Sequence, residues 1–206
     1  MIIIGTLVKL YGIVGLAFFF FSKHKLKFIM WCVIWAIILF AIPMLFAPHE
    51  YVIGQYKAWY INLIEKNQSN ELSAGQDISV MGMIRRIFHQ GQWSNIPFLI
   101  SGLILFFLPY LRIKQYPNRI FQLSILSSVL LFTVLFSTGS EPNTYLIAIL
   151  GAIIWFVIQP RPFTVQQWAI IIFVFLFSCM PPSDLFPRWL YRHYIQPYSL
   201  MALPCL

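Results

Sequence analysis

Charged residues are scarce in this sequence. They make up 10% of its 206 residues, and Asp and Glu together number only 6. An average soluble domain is about 25% charged and about 45–50% apolar, whereas this chain is 60% hydrophobic. So little charge and so much apolar composition exclude intrinsic disorder. The apolar side chains also exceed what a soluble core of this size can enclose, so the composition indicates an integral membrane protein.

Cysteine is rare, and the motifs of soluble nucleotide chemistry are missing. The three cysteines all lie in apolar runs and form no CxxC or Cys/His cluster. The sequence therefore predicts neither a disulfide framework nor a zinc site. It contains no phosphate-binding glycine loop, no HExxH helix and no nucleophile elbow, so soluble nucleotide chemistry has no support.

Six apolar blocks approach the roughly 20 residues that a helix needs to cross the hydrocarbon of a bilayer. They are Ile2–Phe21, Phe28–Phe46, Asn95–Leu111, Ile120–Phe136, Thr144–Ile158 and Thr164–Met180. A seventh begins near Gln196 and extends to Leu206, about half a span. Open sheet edges leave backbone groups unsatisfied in lipid, so the blocks predict an all-α, polytopic transmembrane helix bundle of about six spans plus a truncated seventh. We expect residues 1–206 to form a single transmembrane domain, a fragment of something longer.

Lys9 lies inside the first apolar block, where an ionisable residue is costly. It marks either a helix that begins later in the block or a buried partner for an outer carboxylate. The rest of the block, Ile2–Phe21, carries no charge.

The formal net charge of +8 predicts an orientation in the membrane. Seven of the 14 basic residues, and no carboxylate, lie in three short loops: Ser22–Lys27, Arg112–Arg119 and Gln159–Phe163. The positive-inside rule makes these loops cytoplasmic. Three other loops, which hold every Asp and Glu, are then extracytoplasmic: about residues 47–94, 137–143 and 181–195. The basic surplus is thus an orientation signal and no nucleic-acid footprint, and we expect a multi-pass protein of a bacterial plasma membrane.

The large outer loop, about residues 47–94, contains two helical patterns. Tyr51–Lys66 has aromatic and aliphatic residues at helical spacing, which is typical of an interfacial helix. Ser79–His89 predicts a second, short helix. Its apolar side consists of Val80, Ile84, Ile87 and Phe88. Its Arg85 and Arg86 belong either to a cap over the bundle or to a lipid-phosphate site, because adjacent guanidiniums can fork onto phosphate oxygens.

Glu141 lies in the short turn Ser137–Asn143 between two predicted spans. A carboxylate in so short a loop lies at the membrane interface, where ionisable groups are usually functional. Two alternatives stay open. Ser140 and Glu141 can cap a helix that begins with Pro142 and Thr144, or the turn is simply exposed.

The segment Met180–Ile195 combines charges with aromatic residues. Ser183 or Asp184 can cap a short helix that has Pro187 in its first turn. Three further side chains then lie close together: Arg188, Arg192 and His193. They either snorkel from an aromatic belt or form a polar lid over an anionic headgroup. In the second case His193 is available for proton transfer near neutral pH.

Four segments of the chain carry a family resemblance. They are Lys9–Gly15 running into Phe18–Lys27, Ile78–Arg86, Ser137–Tyr145 and Tyr194–Tyr198. Together they resemble the later part of glycosyltransferase family 87, a polytopic family that contains polyprenyl-phosphate-mannose-dependent mannosyltransferases. Where the family often has Tyr-Pro after the lysine, this chain has Tyr11-Gly12.

The resemblance implies a GT-C-type membrane glycosyltransferase. Such an enzyme passes mannose or another hexose from a polyprenyl-phosphate donor to a glycan or glycolipid acceptor on the outer face, generally by inverting displacement. It also implies an acidic general base in an early outer loop that precedes the matched region, so no position in this chain inherits the catalytic aspartate. No cofactor is implied, and a metal is optional because cationic side chains can hold the donor phosphate.

Seven side chains are candidates for substrate binding: Arg85, Arg86, Glu141, Asp184, Arg188, Arg192 and His193. Arginines suit the donor phosphate and the charge that builds on it as the sugar departs. Carboxylates suit sugar hydroxyls. We expect membrane lipids, the polyprenyl-phosphate sugar and the acceptor as partners, and no nucleic acid.

Two other classes of function stay open. A transporter segment would have acids within the membrane, broken helices and internal repeats, whereas the predicted spans contain none of the six acids. A catalytically inert assembly or interaction fragment is the stronger alternative, because the chain lacks the early catalytic loop.

Overall fold

A computed structural model describes residues 2–71, 73 and 75–206. These residues form helices and turns without a strand, which confirms the all-α prediction for the described part of the chain. The helices group into two compact units, residues 1–68 and 69–206.

The first unit begins with two short helices where a single span is predicted. Helix α1 covers Ile2–Val8 and a 3₁₀ helix covers Leu10–Phe21. Between them Lys9 is extended, with φ −149° and ψ 130°, and its Nζ lies 4.6 Å from the centroid of the Tyr11 ring. The prediction of one continuous helix through the first block is therefore wrong, because the extended backbone of Lys9 separates two helices.

Two glycines let these helices approach each other closely. A Cβ atom on Gly12 would lie 2.3 Å from the nitrogen of Thr6 and 2.4 Å from the carbonyl carbon of Gly5. No side chain fits at that separation. Gly12 thus has a packing role at this crossing.

One helix among the described residues has the length and composition of a membrane span. It runs over Lys25–Leu45, with 21 residues and a mean hydropathy of 2.6, and consists of α2 (Lys25–Ala41) and a 3₁₀ extension. Helix α3 follows at His49–Asn70 and is longer than predicted. It packs on α2 through Tyr56, whose ring stacks on Phe40 at 4.6 Å and whose hydroxyl donates to the Phe40 carbonyl at 3.2 Å.

The second unit contains the remaining helices. The α-helices are α4 (Val80–Ile87), α5 (Ile96–Phe107), α6 (Arg119–Leu135), α7 (Tyr145–Val157), α8 (Val165–Val174), α9 (Arg188–Leu190) and α10 (Gln196–Tyr198). Short 3₁₀ turns cover Leu108–Leu111, Ile113–Gln115, Pro142–Thr144 and Leu200–Cys205. Two π-helical turns extend α8 and α9 over Phe175–Cys179 and Tyr191–Ile195.

Caps and prolines delimit the apolar helices of this unit, which are about as long as the predicted blocks and shorter than a full membrane span. Asn118 accepts a hydrogen bond from the amide of Ile120 at 2.8 Å, and Thr164 forms a capping box with Gln167. The apolar helices of this unit have 15–17 residues: Ile96–Leu111, Arg119–Leu135, Pro142–Val157 and Val165–Cys179. Seventeen residues rise about 26 Å, less than the hydrocarbon thickness of about 30 Å. In place of six full spans, the described residues thus contain one helix of full length and several shorter ones. It stays a prediction that the shorter helices cross the membrane.

Most of the core of the second unit lies at one end of its helices. The cluster joins α4, the end of α6, the start of α7 and the segments after α8. Its most enclosed members are Val134, Tyr145, Ala148, Ile195, Met201 and Ala202, each at most 1% exposed. Farther along α6 and α7, Ser127 donates to the carbonyl of Gly151 at 2.7 Å, a close approach that small residues permit.

The predicted seventh span is a buried turn instead. Ser199 has a positive φ of 53° and ends α10. The 3₁₀ helix Leu200–Cys205 then packs into the core, where the Met201 carbonyl accepts a 2.8 Å hydrogen bond from Ser178. Its apolar side chains fill the space between α4 and α8, and this is why they are hydrophobic.

Helix α4 forms where it is predicted but buries a partly different side. Ile87 and Phe88 are 43% and 61% exposed, although both belong to the predicted apolar side. Met81, Met83 and Arg85 are buried instead. The first turns of α4 insert into the core while its end projects from it, so position along the helix matters as much as helical face.

Candidate functional site: a cavity between the outer loops

Within the second unit, the part of the large loop that precedes α4 meets the other two loops predicted to share the outer face. The amides of Asp77 and Ile78 donate to the carbonyls of Thr138 and Ser140 at 3.0 and 3.1 Å. Gln76 also donates from its side chain to Glu141 Oε1 at 3.1 Å. The loop before α4 is thereby attached to the turn between α6 and α7. These contacts confirm that the two loops lie at the same end of the helices.

A cavity of about 290 Å³ opens between that turn and the segment after α8. Its first wall is Pro142 and Asn143. The second wall is formed by Pro181, Pro182, Ser183, Asp184, Phe186, Arg188, Tyr191 and Arg192. Three of the predicted binding residues, Asp184, Arg188 and Arg192, therefore line one cavity. They follow one another at intervals of four residues along its second wall.

The cavity has an excess of positive charge. Arg188 Nη2 lies 2.6 Å from Asp184 Oδ1, and both side chains are largely exposed. Among the described residues no carboxylate lies within ion-pair distance of Arg192. One guanidinium is thus balanced and one is not, an arrangement that suits an anionic ligand.

Tyr191 supplies a neutral hydroxyl to the same cavity. Its side chain is partly buried, and burial raises the pKa of the phenol above its usual 10.0. The hydroxyl therefore remains protonated at neutral pH and can donate a hydrogen bond.

Helix α9, which forms part of the second wall, begins later than predicted. Pro187 is the N-cap of α9 and no side chain caps that helix. Ser183 donates to the Met180 carbonyl at 2.7 Å, and Asp184 pairs with Arg188. The prediction that Ser183 or Asp184 caps the helix is wrong, because both side chains have closer partners.

His193 does not line the cavity. Its Nδ1 lies 2.9 Å from the Trp189 carbonyl oxygen, and its ring lies 5.1 Å from the Trp189 ring. The side chain is exposed beside an aromatic pair, Trp189 and Tyr194. This position resembles the aromatic belt that was the alternative interpretation.

Glu141 both caps a helical turn and contacts the large loop. It occupies the N-cap position of the 3₁₀ turn Pro142–Thr144, and its amide donates to Thr144 Oγ1 at 3.4 Å. Its carboxylate accepts the hydrogen bond from Gln76. Ser140, the other predicted cap, is buried and donates to the Val134 carbonyl instead. Glu141 adjoins Pro142 in the first wall of the cavity.

Arg85 is enclosed rather than presented to a lipid. It is 1% exposed and forms an ion pair with the buried Asp77. The same guanidinium donates to Asn95 Oδ1 and to the Trp93 carbonyl, and Glu71 Oε1 lies 4.0 Å away. The two adjacent guanidiniums do not form a fork for a phosphate, because Arg85 is already paired with Asp77.

Arg86 is half-buried, and no carboxylate of the described residues lies within ion-pair distance of it. Its Nη2 donates to the carbonyls of Ser73 and Gln76 at 2.7 and 3.1 Å. Its Nη1 is buried without a hydrogen-bond partner among the described residues. Burial lowers the pKa of Arg86, an effect that Asp77 opposes and Arg85 reinforces. Two neutral carbonyls thus hold this cation in place.

Comparison with known proteins identifies the family. A sequence model of glycosyltransferase family 87 matches residues 1–138 of the 206. The chain belongs to glycosyltransferase family 87. Membership implies a glycosyltransferase, and members of the family are membrane proteins. No curated protein and no solved structure matches the chain.

The family match divides the candidate residues. It includes α4 with Arg85 and Arg86 and ends at Thr138, where the turn toward the cavity begins. The cavity residues of the family 87 chain, and the resembling segment Tyr194–Tyr198, lie beyond the match. The contacts of Asp77 and Ile78 connect the two parts.

Asp77, which no sequence pattern marks as a site residue, contacts several parts of this region. Asp77 is fully buried and has a positive φ of 54°. Ser79 donates to its Oδ1 at 2.7 Å and also caps α4 by accepting from the Gly82 amide at 3.0 Å. An acid two residues before a helix cap and eight before an arginine is the only signal for this pair in the sequence.

The described residues contain no group of three or more His, Cys, Asp or Glu side chains that is arranged to hold a metal ion. The polar groups at the cavity are two arginines, one carboxylate, an amide, a serine hydroxyl and a phenol. Such a set can bind a phosphate and sugar hydroxyls directly.

Proposed function

We propose that the chain binds a polyprenyl-phosphate hexose, a mannose donor in the first instance, in the cavity between the two loops and takes part in hexosyl transfer to a glycan or glycolipid acceptor. The unpaired Arg192 in the cavity, in a member of glycosyltransferase family 87, is the observation that carries this proposal. The phosphate of the donor pairs with Arg192, and Arg188 approaches it from one helical turn earlier.

The transfer breaks one bond and forms another at the anomeric carbon. The acceptor hydroxyl oxygen attacks that carbon, and the bond from the carbon to the phosphate oxygen breaks. The lipid phosphate leaves with the electron pair and gains negative charge, which arginines stabilise most strongly as it develops. The proton of the acceptor passes to a base that we assign to no residue of this chain.

Three polar side chains are suited to the sugar. Asp184 lines the cavity and Asn143 faces it from the other wall, while Glu141 adjoins that wall and is held by Gln76. Carboxylate and amide groups accept and donate hydrogen bonds to sugar hydroxyls. Tyr191 remains available as a donor to the phosphate or to the acceptor.

The loop charges support an extracytoplasmic cavity. Arg112–Arg119 precedes α6 and Gln159–Phe163 follows α7, so these two basic loops are at the helix ends opposite the cavity. The positive-inside rule then orients the cavity away from the cytoplasm. Membrane lipids surround the helices in this proposal, and the donor reaches the cavity from the outer leaflet.

A binding measurement tests the proposal without requiring turnover. The chain in phosphatidylcholine nanodiscs is titrated with farnesyl phosphate and with mannosyl farnesyl phosphate. We expect Arg192→Gln to raise the Kd for both at least tenfold, because one charge-assisted contact is worth about 1.5–3 kcal/mol. Arg161→Gln, an equal change at an exposed arginine in the opposite loop, leaves the Kd unchanged. Equal affinities for the wild type and Arg192→Gln would remove the cavity from donor binding.

A further inference from the structure

The Asp77–Arg85 pair is the most enclosed ion pair among the described residues. Both side chains are 0% exposed, whereas the Asp184–Arg188 pair is largely in contact with solvent. Taking two charges out of water is costly, and a buried ion pair is weak evidence of stabilisation by itself. Stabilisation alone therefore does not explain the pair, and a role in positioning the surrounding backbone is the alternative.

The backbone of Asp77 is attached to the segments that carry both walls of the cavity. Its amide donates to the Thr138 carbonyl at 3.0 Å, four residues before Pro142 in the first wall. Its carbonyl accepts a 3.5 Å hydrogen bond from Ser199 Oγ, seven residues after Arg192 in the second wall. One residue thus connects the two segments that lead to opposite sides of the cavity.

The side chain of Asp77 maintains this backbone geometry. The residue has a left-handed φ of 54°, a conformation that persists only when surrounding contacts enforce it. Arg85 holds Oδ2 and Ser79 holds Oδ1. Arg85 is in turn held by Asn95, which donates to Glu71 at 2.7 Å.

We propose that Asp77 and Arg85 are positioning residues that set the separation of the two cavity walls and thereby the affinity for the donor phosphate. The identity of the ligand rests on the proposed function, but the positioning does not. Without the charge on Asp77, the buried guanidinium of Arg85 keeps only the more distant carboxylate of Glu71, at 4.0 Å, and the loop opens to hydrate it. The hydrogen bond from the Asp77 amide to Thr138 and the one from Ser199 to the Asp77 carbonyl then break together.

The test compares Asp77→Asn with Ile125→Ala in the full chain in phosphatidylcholine nanodiscs. Ile125 is 1% exposed in α6, so its truncation lowers the Tm without touching either wall. Two quantities are measured well below the Tm: the Kd for farnesyl phosphate, and amide hydrogen exchange by peptide. We expect Asp77→Asn to raise the Kd at least tenfold and to accelerate exchange around both Thr138 and Ser199, with the first half of α6 unchanged.

We expect Ile125→Ala to lower the Tm and to leave the Kd for farnesyl phosphate unchanged. If Asp77→Asn lowers the Tm while exchange at both walls stays as in the wild type, the pair is only structural and the inference fails. If Asp77→Asn does not fold, Ser79→Ala carries the same test with a smaller perturbation of the carboxylate. A wild-type chain that does not bind farnesyl phosphate would refute the proposed function, while hydrogen exchange would still decide the positioning role.

Discussion

Tyr145 donates a 2.7 Å hydrogen bond from its phenol to the carbonyl oxygen of Ile78, and this bond joins α7 to the segment that leads into α4. Both residues are buried, Tyr145 completely. The bond spans 67 positions of the chain and lies beside the two backbone bonds that attach Asp77 and Ile78 to the turn after α6. The segment before α4 is thus held both by α7 and by the turn after α6.

Removing that hydroxyl should destabilise the second unit. We expect Tyr145→Phe to lower the free energy of unfolding by about 1–3 kcal/mol, because the Ile78 carbonyl is left buried and unpaired. Tyr60→Phe, at a side chain that is 63% exposed, should change it by less than about 0.5 kcal/mol. Unfolding in detergent measures both, and equal effects would show that the hydroxyl of Tyr145 contributes nothing.

A methyl group at Gly82 should be disruptive although alanine favours helices. A Cβ there would lie 2.0 Å from the carbonyl oxygen of Asp77 and 2.7 Å from its Oδ2. We expect Gly82→Ala to destabilise by about 1–3 kcal/mol, as overpacking does. Gly54→Ala in α3, where nothing lies within 4 Å, should stabilise by about 0.5–1 kcal/mol. Thermal unfolding of the two variants gives opposite signs, and stabilisation by both would contradict the close contact.

The phenol of Tyr191 should ionise only at high pH. Burial raises its pKa above 10.0, so the folded state keeps the proton that the unfolded state releases. Its contribution to stability is therefore fully present below pH 10 and declines as the pH rises toward the folded pKa. The difference in phenolate absorbance between the wild type and Tyr191→Phe should have its midpoint above pH 10. A midpoint at or below that pH would contradict the buried position.

Cysteine labelling should distinguish the two ends of the second unit. Gly75 is exposed near the loop that precedes α4, and Lys114 is exposed before α6. We expect a membrane-impermeant maleimide to label Gly75→Cys in intact cells and Lys114→Cys only after lysis. The chain without a substitution controls for the three native cysteines. The reverse pattern would place the cavity on the cytoplasmic side.

The hydrophobic runs were enough to predict the apolar helices of the second unit. Helices at Ile96–Leu111, Arg119–Leu135 and Val165–Cys179 begin within two residues of the predicted blocks, because burial of an apolar run and capping by Asn118 and Thr164 are local effects. Loop charge also predicted that residues 47–94 and 137–143 share one end. The lengths of the four apolar helices of the second unit also match the predicted blocks to within two residues.

The roles of individual charges depended on tertiary contacts. Arg85 and Arg86 look alike in sequence, yet Arg85 is paired inside the loop and Arg86 is held by carbonyls. Arg192 and Asp184 share a cavity with Asn143, which is distant in sequence. Residue type and helical spacing determined that this protein has apolar helices and polar loops at one end. Only the fold decided which arginine has a carboxylate partner, because electrostatic pairing depends on distances across the chain that no local pattern specifies.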